Sequence, residues 1–192
     1  MASRVTITKD KVNAVVGSIT KLVGKQVLVG IPEANAARQD DEQGQHPTNA
    51  LIGYVMETGS PARNIPARPW LVPGARESER EWMPHLRGAA TAALDAQPQK
   101  SDAELTAAGI AAESGVKRKI NSNIPPPLKP STIRARKYAR QAQSRRSNEE
   151  RYLEQVRSGV DPGTAQAAAG IVSLINTGAL RNSITSVVRT KK

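Results

Sequence analysis

The sequence predicts an α+β fold. Two observations predict it. Short β-branched runs lie at 26–31 and 184–189, and helical apolar spacing fills most of the chain between them. The hydrophobic content is thin and aliphatic. Of 192 residues only Trp70, Trp82, Tyr54, Tyr138 and Tyr152 are aromatic, and there is no Phe. A core of that kind gains stability by packing against other subunits.

Residues 4–8 alternate and read as a short strand. Val12, Val15, Val16, Ile19, Leu22 and Val23 fall at helical spacing, with Thr8 or Asp10 as cap and Gly24 as stop. Residues 26–31 read as a strand ended by Pro32. Residues 33–47 are polar, broken by Gly44 and Pro47, and form an exposed loop. A short helix is expected over about 48–57, with Leu51, Ile52, Val55 and Met56 as its apolar stripe.

The segment 57–71 holds three prolines and one glycine in 15 residues. Proline fixes φ and biases its predecessor to extended geometry, so this path is rigid and non-helical. It is expected to carry Arg63 and Arg68 outward and to bury Ile65, Trp70 and Leu71. A helix is expected from near Pro73 to about Ala96, with Trp82, Leu86, Ala90 and Leu94 on one face and a kink or split at Pro84. Ser101 to Glu104 is a capping box, followed by Leu105, Ala108, Ala112, Val116 and Ile120 at helical spacing. Residues 124–130 are polyproline-like. An Arg-rich helix starts at Ser131, a second capping box lies at Ser147–Glu150, and Asp161 caps an Ala-rich stretch ending at Gly170. Thr177 to Arg181 makes a tight turn or a single helical turn before the closing strand.

The formal net charge is +11, unevenly distributed. Residues 1–116 carry −1, residues 117–151 carry +9 and residues 152–192 carry +3. A near-neutral body with one basic stretch is not a uniformly basic coat. From composition alone that stretch is open to three readings: phosphate neutralisation on nucleic acid, docking on acidic protein surfaces, or a solvated face. With only Tyr138 interleaved, base stacking is not indicated. With no Cys there is no disulfide, thiolate nucleophile or Cys-based zinc site. His46 and His85 lack metal-ligand spacing and read as surface histidines, and Asp40, Asp41 and Glu42 read as a solvated acidic loop. No phosphate-cradling glycine loop is present, no apolar stretch is long enough to span a bilayer, and the N-terminal residues lack an apolar signal core. No enzyme, cofactor, metal or membrane is expected, and synthesis is expected in the cytoplasm.

Three stretches go beyond pattern. Residues 49–72 contain a short helix, an acidic residue with Gly near it, then Ile-Pro-Ala-Arg-Pro-Trp-Leu, at Ala50, Ile52, Glu57, Gly59, Ile65, Pro66, Ala67, Arg68, Pro69, Trp70 and Leu71. The second is Pro126-Pro-Leu-Lys-Pro-Ser-Thr-Ile-Arg-Ala-Arg-Lys137, and the third Leu174-Ile-Asn-Thr-Gly-Ala-Leu-Arg-Asn-Ser-Ile184. In this order they resemble the tailed-bacteriophage neck and tail-completion proteins, the Mu-like virion-morphogenesis and lambdoid tail-completion group. Phe is usual there at the position of Trp70 and Asp is common at that of Asn176. A short link joins the second and third elements in that group, whereas residues 138–170 here form a longer basic, Ala-rich helical insertion.

The resemblance covers most of 26–190. It implies a single domain over 1–192, with a small antiparallel β-sheet packed by a long, kinked helix and a proline-rich loop. It further implies a non-enzymatic virion protein. Copies would form a ring at the head–tail junction, a hexamer or else a dodecamer, against neighbouring neck, connector and tail-terminator or tail-tube proteins. Packaged DNA would pass the lumen. Heterologous contacts close such a ring. The residues it singles out for the subunit interface or for anchoring the loop are Glu57, Ile65, Arg68, Trp70, Leu71, Leu180 and Arg181. Trp70 is either core or an interface anchor, and Arg68 pairs either with Glu57 or across a subunit boundary. Arg68→Ala is then expected to weaken ring formation while leaving the monomer nearly intact. Arg134, Arg136, Lys137, Arg140, Arg145, Arg146 and Arg151 would face DNA or an acidic partner. The alternative is a double-stranded DNA-binding protein acting through residues 117–151.

Overall fold

The computed structural model of the chain describes residues 11–35, 47–139 and 143–191. In order, the elements are α1 (Val12–Val23), β1 (Lys25–Gly30), α2 (Asn49–Thr58), α3 (Leu71–Glu77), α4 (Glu79–Leu94), α5 (Pro98–Asn121), α6 (Pro130–Ala139), α7 (Gln143–Arg157), α8 (Pro162–Ala168), α9 (Ala179–Asn182) and β2 (Thr185–Thr190). Short 3-10 turns occupy Glu33–Asn35 and Pro61–Arg63. The fold is α+β. The expected strand at 4–8, its capping candidates Thr8 and Asp10, the acidic run 40–42 and His46 lie outside the described residues.

Within the expected single domain the chain forms two compact units. The first takes in the described residues 11–29, 78–112 and 186–191. Here Lys191 N donates to Gly24 O, so the start of β1 lies against the end of β2 and the two-stranded sheet is antiparallel. The first half of α5 lies on this sheet. The approach is close at Gly109, where a Cβ would come within 3.0 Å of Ser186 and 3.2 Å of Val27. α1 packs against α4, and the interior is small: Ala89, Ala92 and Ala93 of α4 with Leu105 and Ala108 of α5.

The second unit takes in 30–35, 47–77, 113–139 and 143–185 of the described residues. Its core holds Trp70, Val116, Ile120, Ile124, Leu174, Leu180 and Ile184, together with a cluster of Leu128, Ile133, Tyr152, Ala165 and Ala169. α6 packs on α7, α7 on α8, and α2 on α9. The described part of the 138–170 insertion consists of the end of α6, α7 and α8 with the turns that follow α7 and α8, and it supplies three of the five cluster residues.

Several element-level expectations are corrected. The 73–96 helix splits at Ser78, not at Pro84, which lies inside α4 as its sixth residue. A proline there removes one N–H bond, to Arg80, and the helix continues past it. The buried face of α4 is Ala89, Ala92 and Ala93, while Leu94 is 60% exposed. Leu51 turns outward, and the inward positions of α2 are Asn49 and Gly53. Neither expected capping box starts a helix. α5 begins at Pro98 and α7 at Gln143, so Ser101 and Ser147 are interior. The Leu105–Ile120 stripe and the Asp161 cap, which accepts from Gly163 N and Thr164 N, are as expected.

Candidate functional site

The three sequence elements converge in the second unit. The first is held by Glu57, near the end of α2. Its carboxylate accepts from Trp70 N at 2.6 Å, Leu71 N at 2.8 Å and Val72 N at 3.2 Å. These are first-turn donors of α3, left unsatisfied by any helix start. A carboxylate there also meets the positive end of the helix dipole. Glu57 thus closes the proline-rich loop as a cap supplied from another helix. Between them, Ser60 and Ile65 form an antiparallel bridge. Gly59 turns the chain with φ 78° and ψ 172°, a backbone region essentially reserved for glycine.

Arg68 is turned inward, 5% exposed, which corrects the expectation of an outward side chain. Its guanidinium donates to Pro126 O from Nε at 3.0 Å and from Nη2 at 2.9 Å, and to Pro127 O at 3.5 Å. The expected partner Glu57 is occupied by the α3 backbone instead. Burial lowers the Arg68 pKa, but arginine starts so high that it remains a cation. Trp70 is core, 2% exposed, and its Nε1 donates to Gly53 O. Ile65 and Leu71 are half-buried, Leu180 is buried, and Arg181 reaches Asn121 Oδ1 at 3.5 Å.

The second element is tied to the third in the same manner. Arg136 donates to Ser173 O at 2.8 Å, Ile175 O at 3.3 Å and Val172 O at 3.4 Å. Gln166, from the insertion, links the two further: its Oε1 accepts from Leu128 N at 2.6 Å, and its Nε2 donates to Asn123 Oδ1 and Ser173 Oγ. Asn123, in left-handed conformation at φ 57°, also accepts from Ser173 N. Tyr152 donates its buried hydroxyl to Leu128 O at 2.8 Å. Sequence reading passed over Asn123, Gln166 and the role of Tyr152. The one available signal was Gln166 as the single amide within an otherwise Ala-rich run.

The basic candidates fall into different settings. Lys137 pairs with Glu150 at 2.8 Å and holds that carboxyl below its usual range; Lys117 pairs with Glu113, and Lys119 with Glu77. Arg134 and Arg151 are exposed, and Arg146 is half-buried. Arg140 and the Arg145 side chain lie outside the described residues. In the first unit His85 Nδ1 sits 2.8 Å from Glu104 Oε2, so this surface histidine has a carboxylate partner. Among the described residues no cluster suited to a metal ion occurs, and no helix is long and apolar enough to cross a membrane. No family model, curated protein or solved structure matches the chain.

Proposed function

We propose that the chain is a structural virion protein of a tailed phage that assembles into a ring at the head–tail junction. One observation carries the reading. Three sequence elements far apart in the chain are bonded pairwise within one unit, Arg68 to Pro126 and Arg136 to residues 172–175. Their charged and aromatic residues are spent on holding backbone in place, as in a scaffold whose purpose is shape. The reading also accounts for the apolar side chains left outside. Leu51 and Tyr54 on α2 and Val72 on α3 are 52%, 67% and 50% exposed. With Trp70 and Arg68 turned inward, these are the side chains offered to a neighbouring copy, where an aromatic anchor is a natural hot spot.

The basic stretch gives less support to duplex DNA as the primary target. Lys117, Lys119 and Lys137 are paired with carboxylates and Arg136 with carbonyls. Native mass spectrometry of the full chain is the test. A closed ring, six copies first, is expected, and Leu51→Glu with Tyr54→Glu should disperse it without changing the circular dichroism. A wild-type chain that stays monomeric, or a ring indifferent to both changes, overturns the reading. Tight duplex binding with a steep salt dependence would favour the DNA-binding alternative.

A further inference from the structure

We infer that the outward face of α1 receives the α2–α3 face, Leu51, Tyr54 and Val72, of a second copy of this chain. The inference rests on the ring reading above and names the partner of that face. A ring closes through two different patches on each chain, one that docks and one that receives. The α2–α3 face supplies one of them, and α1 supplies the other.

α1 carries two apolar faces. It packs on α4 with Ser18 buried and Val15 and Leu22 half-buried. Val12, Val16 and Val23 are 64%, 56% and 63% exposed, with the half-buried Ile19 between them. These four fall at i, i+4, i+7 and i+11, one line along the helix and the spacing by which a helix seats against an apolar surface. Single apolar side chains on a surface need no explanation, but a continuous line does. The first unit also has a thin interior, mostly alanine. Seven of the ten large apolar side chains exposed among the described residues belong to it, although it is the smaller unit, so this is the unit that gains most from being covered.

Charge selects the occupant. Asn13 and Thr20 lie beside Val16, a turn before and a turn after it, and neither is charged; Thr20 turns its hydroxyl back to Val16 O at 2.9 Å. By helical spacing Lys21 lies on the far side of α1 from the line. In a chain of net charge +11 this face therefore offers no cation to a phosphate or to an acidic partner, and it suits an uncharged apolar surface. A second copy has one. The single charged residue of α2 is Glu57, and its carboxylate is occupied by Trp70 N, Leu71 N and Val72 N. Neither face strips water from a charge when the two meet, as it would against a charged partner. Tyr54, 67% exposed, is the aromatic anchor of the contact.

The test is complementation between two variants of the full chain, read by native mass spectrometry. Val16→Glu with Val23→Glu charges the α1 face and keeps the α2–α3 face. Leu51→Glu with Tyr54→Glu does the reverse. Glutamate is a better helix former than valine, so the first change leaves α1 helical. Each variant alone should be a monomer. Mixed in equal amounts they share one intact contact, and they should give a heterodimer of twice the monomer mass and no ring. Val16→Glu alone is the second variant if the double change does not fold. With a wild type that closes into a ring, a mixture that stays monomeric, or an α1 variant that still closes, overturns the assignment and leaves the ring reading standing. A monomeric wild type overturns both. A Leu51→Glu, Tyr54→Glu chain that dimerises by itself would show α1 meeting α1. A lowered thermal midpoint of the α1 variant would show that face covered within its own chain. Either result also overturns the assignment.

Discussion

Arg68 shows how far a residue's chemistry depends on where its backbone goes. Its place in a proline-rich loop argues for a rigid, surface-presented cation. The loop does have a rigid path, but Arg68 N is tied to Met56 O at 2.7 Å and the side chain is directed at Pro126 O. The charge is therefore structural. Arg68→Ala should cost about 1.5–3 kcal/mol of stability, the range for hydrogen bonds to a charged group. This replaces the sequence-level expectation of weakened assembly with a sound monomer. Urea unfolding measures it, and a variant as stable as the wild type would return Arg68 to the surface. Glu57 and Trp70 were legible as a pair of important positions from the resemblance. Their partners were not, because a carboxylate can cap a helix 14 residues away only once the loop between them has closed.

At the scale of elements, periodicity was a good guide and capping patterns a poor one. The α5 stripe follows directly from spacing, since a helix buries every third or fourth residue whatever it packs on. Ser101 and Ser147 match the capping box, yet both lie within helices that begin earlier, at Pro98 and Gln143. A four-residue pattern says that a helix could start there; the neighbours determine whether it does. The turn at Gly59 is the element-level feature most exposed to test. A Cβ there would lie 2.8 Å from Ala67 N, and the φ of 78° with extended ψ disfavours any other residue. Gly59→Ala should cost about 1–3 kcal/mol through backbone strain and loosen the proline loop. A thermal melt unchanged from wild type would show that the loop re-routes freely.

For the whole molecule, pH dependence provides a global readout of the cluster around Leu128. Burial, and then the negative charge of Asp161, push the Tyr152 phenol up from its usual pKa. A raised value means the folded state holds its proton longer than the unfolded chain. The stability it contributes is complete below the unfolded phenol pKa of about 10 and is lost as pH rises through the higher folded value. Tyr152→Phe should lose about 1 kcal/mol at neutral pH with the Leu128 bond and then decline less steeply in alkali. Parallel alkaline stability profiles for the two proteins would remove Tyr152 as the responsible group. The net charge of +11 is also redistributed by the fold: much of the 117–137 portion is neutralised by Glu113, Glu77 and Glu150 or absorbed by backbone carbonyls.

The sequence alone determined the α+β class, the positions of most helices and the strands near 26–31 and 184–189. These are local properties, set by periodicity, proline and turn residues within a few positions. Tertiary structure decided what the polar residues are for. It turned Arg68 and Arg136 onto carbonyls, made the insertion part of a core through Tyr152, Ala165 and Ala169, and tied Gln166 to Leu128 N and Asn123. The reason is physical. A charged or amide side chain takes the partner that desolvation brings to it, and that partner lies tens of residues away along the chain.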